Sequence, residues 1–186
     1  WKLNLISEIN NGLKSEPISF LKNNIKNYQK VKFTRTFNFE KQIYLYSLNN
    51  SGAPGYEVLT PLKTQFNEIL LINRGWIKKD LKNSSEINSI NKNKFSGILK
   101  KIIKPNPFKP DNDLENNIWY SLNLEDLKTF TGFEMGNYIL HLQDSHNEMI
   151  KPKIITPNLP NNHLKYAITW YSVALSILIY FLSFKK

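Results

Sequence analysis

Cysteine is absent from this chain of 186 residues, which excludes disulfide frameworks, thiolate zinc sites, iron–sulfur clusters and cysteine nucleophiles. Arginine is nearly absent as well: Arg35 and Arg74 are the two, so lysine supplies 23 of the 25 cationic side chains. Base readout and phosphate clamping lean on the planar guanidinium fork, whereas lysine acts as a hydrated point charge. The net charge of +10 therefore argues against a nucleic-acid partner and for a basic surface beside anionic lipid headgroups. The common catalytic signatures are missing too: no G-x-S-x-G elbow, H-E-x-x-H, Walker loop or G-x-G-x-x-G occurs, and no enzymatic activity is expected.

The titratable residues that remain offer little chemistry by spacing. Asp144, Ser145 and His146 are consecutive and cannot make the successive hydrogen bonds of a hydrolase triad, so they read as a polar loop. Asp111, Asn112 and Asp113 lack the glycine of a calcium loop and read as turn residues. His141 and His146, five apart, read as surface or structural histidines.

Hydrophobic residues at 41% and charged residues at 22% describe a globular chain, long enough for one domain with an accessory segment. The segment is conspicuous. Residues 166–184 form an uncharged run without Pro or Gly, and a helix of that length covers about 28 Å, the thickness of a bilayer core. Trp170 and Tyr171 near its start and Lys185 and Lys186 beyond its end are interfacial anchors, with the two lysines on the cytoplasmic or matrix side. A wholly buried helix of a soluble protein is the alternative.

Before Pro160 the patterning is mostly extended. Strands are expected over 31–39, 43–48, 56–62, 69–77, 95–103, 118–122 and 138–142, with 69–77 as a central strand broken at Gly75. A short amphipathic helix is expected over 2–11 from Leu3, Ile6 and Ile9. A second is expected over 124–131, capped by Asn123 and stopped by Gly132. Residues 80–94 read as a solvated loop. The predicted fold is mainly β, a β-rich α+β arrangement: a compact antiparallel barrel or sandwich-like domain with short helices over 1–159, then a transmembrane helix and basic tail over 160–186.

His163 lies in the first turn of that helix, after Pro160, Asn161 and Asn162. His163, Tyr166, Ala167 and Trp170 share one face at offsets of three, four and seven. An imidazole at the water–membrane boundary followed by flat aromatic side chains suits a planar apolar ligand whose iron needs an axial nitrogen, such as haem. An aromatic belt with an incidental histidine among the headgroups accounts for the same residues.

Four blocks then give a resemblance. PNLPNNHLKYAITWYSVAL at 157–175 resembles the C-terminal signature of the surfeit locus protein 1 family, membrane-anchored assembly factors of cytochrome c oxidase. GYEVLTPL at 55–62, ILLINRGWI at 69–77 and FKPDNDLENNIWYSLNLEDL at 108–127 occur in that family's order. Two places depart from it: Arg35 stands where the family has Gly, and 149–156 lacks the usual glycines. The resemblance implies a span preceding WKLNLI at 1–6, absent from this chain, and a domain in the periplasm or intermembrane space. It implies anchoring in the lipid bilayer of the bacterial or mitochondrial inner membrane. It further implies assistance to haem a delivery or insertion into the catalytic subunit of cytochrome c oxidase, with haem A synthase as a second partner. His163 is then the axial ligand to haem iron, and Tyr166 and Trp170 pack near the macrocycle. The alternatives are a scaffold that stabilises an early oxidase intermediate without haem, or an anchored binding module of another ligand.

Overall fold

The computed structural model describes residues 2–19, 25–33, 37–64, 68–90, 94–157 and 162–184. Trp1, Arg35, Pro160, Asn161, Lys185 and Lys186 lie outside them. The chain forms two compact units, Trp1–Ile155 and Thr156–Lys186.

In the first unit, α1 (Lys2–Lys14) precedes β1 (Ile18–Ser19), β2 (Lys30–Phe33), β3 (Ile43–Leu48), β4 (Pro54–Lys63) and β5 (Ile69–Lys78). Two 3-10 helices, Lys79–Leu81 and Ser85–Asn88, lead to β6 (Phe95–Lys101), α2 (Leu124–Thr131) and β7 (Met135–Leu142). The strands form one sheet in the order β1-β2-β6-β7-β5-β4-β3. The β-rich domain with short helices is as the sequence indicates. Its sheet is open and mixed, because β1 runs parallel to β2 and β5 parallel to β7. The second parallel pair needs a long crossover, and the chain between β5 and β7 supplies it with β6 and α2.

The core follows from the central position of β5. Leu70 and Ile72 pack with Val31, Leu62, Leu99, Leu140 and Leu142 on one face, while Leu71 packs with Ile43, Leu59, Trp119, Leu127 and Ile139 on the other. A strand covered on both faces reads as an unbroken apolar run, as 69–72 does.

The helices are set by local signals. Asn123 Oδ1 accepts from Asp126 N at 2.7 Å, and Gly132 ends α2 in the left-handed region at φ 76°. In α1 the stripe facing the core is Leu5, Ile9 and Leu13, packed against Tyr28 and Ile98. Leu3, read from the sequence as part of that stripe, is exposed.

Several sequence readings change. Of the strand expected over 31–39, β2 covers Lys30–Phe33, residues 37–39 form no strand, and 34–36 lie outside the described residues. Residues 118–122 form no strand; Ile118 and Trp119 make isolated bridges to Asp113 and Leu45, because side chains of the surrounding asparagines occupy the backbone groups a ladder would use. Asn112 Oδ1 accepts from Tyr120 N at 2.8 Å and Ser121 N at 3.1 Å. Residues 80–94 contain a fully buried Ile87 within their second 3-10 turn, so part of the segment belongs to the core. β5 also runs on through Gly75, which sits at φ 126° where the pairing with β4 shifts register between Val58 and Leu59. A bulge absorbs the glycine without ending the strand.

Candidate functional site

The second unit contains α3 (His163–Ser183), which at 1.5 Å per residue is about 31 Å long. It contains no charge beyond Lys165, and its length and composition suffice to cross a membrane. Its hydroxyls turn inward on the helix itself. Thr169 Oγ1 donates to Lys165 O at 3.0 Å, Ser172 Oγ to Ile168 O at 2.8 Å and Ser176 Oγ to Ser172 O at 2.9 Å. A polar group satisfied within its own helix is compatible with hydrocarbon, so the polar residues do not interrupt the span.

His163 is the first residue of α3, after Asn162, whose carbonyl accepts from Tyr166 N at 3.0 Å. The helix brings His163, Tyr166 and Trp170 onto one face, as their spacing requires. Tyr166 is 64% and Trp170 70% exposed, His163 is exposed too, and Ala167 between them is half-buried. Among the described residues the His163 imidazole has no hydrogen-bond or ionic partner, so a ring nitrogen is open to an external ligand. An accessible imidazole beside flat aromatic surfaces is a donor set that fits haem with one axial nitrogen. No group of three or more His, Cys, Asp or Glu capable of holding a bare metal ion gathers among the described residues.

The first unit holds polar chemistry that the sequence reading missed. The Arg74 guanidinium is fully buried on β5. Its Nε donates to His146 Nε2 at 3.0 Å, Nη1 to Gln42 Oε1 at 3.0 Å and Nη2 to Ile87 O at 2.5 Å. It also lies 5.6 and 5.0 Å from the ring centroids of Phe37 and Phe39, within cation–π range. Among the described residues no carboxylate pairs with it. Burial lowers its pKa to about 10, partly opposed by Tyr44, so it stays cationic at neutral pH. The neighbouring histidine is therefore buried in the core, and the polar-loop reading of residues 144–146 holds for Asp144 and Ser145 alone.

A second polar cluster surrounds Glu57. This buried carboxylate accepts from Asn73 Nδ2 at 2.5 Å, from Ser47 Oγ at 2.9 Å and from Lys153 Nζ. Burial alone would raise its pKa, but the Lys153 charge and these hydrogen bonds outweigh burial and hold the carboxyl below its usual range. Beside it His141, directly opposite Asn73 on β7, is buried with no partner for Nδ1. Its pKa is pushed down to about 4 chiefly by burial, against the pull of Glu57 and with help from Lys100 and Lys153. The imidazole is neutral at pH 7. Arg74, Glu57, Asn73 and His141 are buried in these clusters, which tie the sheet to the segments packed against it. The described residue best placed to meet a ligand from outside is His163.

Known proteins give the chain a place. The SURF1 family pattern matches residues 1–175. A SURF1-like protein of Rickettsia bellii is 30% identical over 167 residues, 86% of this chain and 69% of that protein. One of Rickettsia conorii is 29% identical over 167 residues, 86% of this chain and 70% of its own length. Human Surfeit locus protein 1 is 27% identical over 215 residues, covering 100% of this chain and 69% of that protein. A pattern matched from the first helix of the domain into the apolar helix, with relatives in bacteria and vertebrates aligned over most of its length, means that this chain belongs to the SURF1 family.

Proposed function

We propose that the chain is a membrane-anchored assembly factor for cytochrome c oxidase, which holds haem a as cargo at His163 and assists its passage to the catalytic subunit. It acts by binding, with no catalytic residue of its own. The observation that carries this reading is the exposed imidazole at the first turn of an apolar helix, with Tyr166 and Trp170 on the same face. An imidazole nitrogen supplies an axial bond to iron, and the two aromatic side chains supply flat apolar surface to a macrocycle. Once delivered, haem a provides the electron-transfer and oxygen chemistry of the oxidase. Family membership supports the anchoring of α3 in the inner membrane of a bacterium or mitochondrion, with the domain in the periplasm or intermembrane space. Haem A synthase, as the source of the cargo, is the corresponding donor partner.

The test is the absorbance spectrum of the full chain purified in detergent from cells that make haem A. The unaltered protein should carry haem a, and His163→Ala should lose it with the near-ultraviolet circular dichroism of the domain unchanged. Stoichiometric haem a with an unshifted spectrum in His163→Ala would overturn the assignment. If neither protein carries haem while oxidase assembly still depends on the chain, the scaffold reading replaces it.

A further inference from the structure

The segment joining β6 to the 112–121 turn region is unusual for a soluble surface. Residues 103–111 are exposed without interruption, yet two of them are large and apolar: Ile103 is 76% and Phe108 93% exposed. Isolated apolar residues on a surface need no explanation, but these two are held out in an ordered way. The segment is pinned at its start by Ile102, which packs against the core and donates its N–H to Asn137 O at 2.8 Å. At its end Asn112 bonds the backbone of Tyr120 and Ser121. Between these points Asn106 organises a turn, its Oδ1 accepting from Phe108 N at 3.0 Å and its carbonyl from Lys109 N at 3.0 Å. Lys109 Nζ ties the turn to Tyr120 O at 2.7 Å. Pro105, Pro107 and Pro110 fix three further φ angles. Phe108 is thus presented on a rigid tip, so little ordering entropy is lost when something covers it.

The charges around the tip indicate what covers it. Lys101, Lys104 and Lys109 stand against the single carboxylate of Asp111 over 101–111. Aromatic and aliphatic tips ringed by lysine match the boundary of an anionic bilayer, where apolar side chains reach the acyl region and ammonium groups stay among phosphates. Only seven residues, 156–162, lie between Ile155 and His163 in the chain.

We propose that the 103–111 loop inserts Phe108 and Ile103 into the headgroup region of the anionic bilayer that α3 crosses, with Lys101 and Lys104 favouring acidic lipid. The insertion rests on α3 spanning that bilayer and is independent of haem binding. It gives the domain a second contact with the membrane surface, made by a segment remote from the helix in sequence.

The absence of cysteine makes the test clean. The full chain carrying Pro107→Cys, which leaves Phe108 in place, is labelled with NBD and reconstituted into vesicles of phosphatidylcholine with or without phosphatidylglycerol. A second chain labelled at Ser51→Cys, on the exposed 49–53 turn, reports a site facing water. In the acidic vesicles the label at 107 should be quenched by doxyl lipid and reduced by dithionite several-fold more slowly than the label at 51. Phe108→Ser, or Lys101→Gln with Lys104→Gln, should bring it back towards the rate at 51. Protein that an alkaline wash strips from the vesicles would overturn the span and the insertion with it. Protein that stays, with labels at 107 and 51 equally open to dithionite, would overturn the insertion alone. Shielding of 107 seen in native membranes and missing from vesicles of lipid alone would overturn it in favour of a protein partner.

Discussion

The Nε–H of Arg74 donates to Nε2 of His146 across 3.0 Å, and both side chains are buried. Acceptance at Nε2 places the histidine's proton on Nδ1 and keeps the ring neutral beside a cation. Arg74 thereby links β5 to the carbonyl of Ile87, to Gln42 just before β3 and to the segment after β7. Arg74→Ala should cost about 3–4 kcal/mol, because it takes the guanidinium donors from three buried acceptors, of which Gln42 Oε1 still accepts from Thr60 Oγ1 at 3.0 Å. Arg74→Lys should recover only part of this, since an ammonium cannot reproduce the planar fork. Urea unfolding of the full chain in detergent, followed by near-ultraviolet circular dichroism, measures both.

His141 makes the domain sensitive to acid. Its pKa is about 4 in the folded protein and near the ordinary 6.5 when unfolded. Between these values the unfolded chain binds the extra proton, so stability present above pH 6.5 is lost as the pH falls towards 4. The full loss is about 3 kcal/mol. Protonation of Glu57, held below the usual carboxylate range, removes more stability at the acid end. His141→Gln should flatten the dependence of the unfolding midpoint between pH 6.5 and 4, and an unchanged slope would show that another group is responsible.

Gly75 cannot accept a side chain. At φ 126° its Cβ would lie 2.4 Å from the carbonyl oxygen of Lys151, on the segment that Trp76 binds by two backbone hydrogen bonds at 2.7 and 2.9 Å. Gly75→Ala should cost at least about 2 kcal/mol from backbone strain and the lost bridge. It should also open residues 151–157 to proteolysis well before the sheet unfolds. Limited trypsin digestion after Lys153 reads this out, since the Lys151–Pro152 bond resists trypsin, and cleavage as slow as in the unaltered chain would refute it.

Local chemistry made some elements legible and remote contacts hid others. The cap of α2 at Asn123, its stop at Gly132 and the apolar length of α3 are written in neighbouring residues, and the structure has each where the sequence indicates. The alternation of 43–48 marks β3 for the same reason. The Arg74 cluster gave no such signal: its partners at 42, 87 and 146 are scattered along the chain, and a lone arginine at the end of an apolar run looks like the start of a loop. His141 also sits near a strand end, where a histidine reads as surface or structural; its pairing with both β5 and β6 buries it. The parallel run of β5 and β7 could not be seen locally, because it depends on a crossover of more than fifty residues. The face shared by His163, Tyr166 and Trp170, by contrast, is legible because it lies on a single helix.

The position of β7 governs when the domain can form. β7 is the last strand in the chain, yet it lies between β6 and β5 in the middle of the sheet. Until it arrives, β1-β2-β6 and β3-β4-β5 are two separate sheets, each with a long apolar edge unpaired. A chain delivered from its N-terminus therefore cannot complete its core until Leu142 has emerged, only twenty-one residues before α3 begins. Slow non-local pairing of this kind leaves aggregation-prone intermediates exposed. Completion of the sheet and the start of the apolar helix therefore fall close together along the chain.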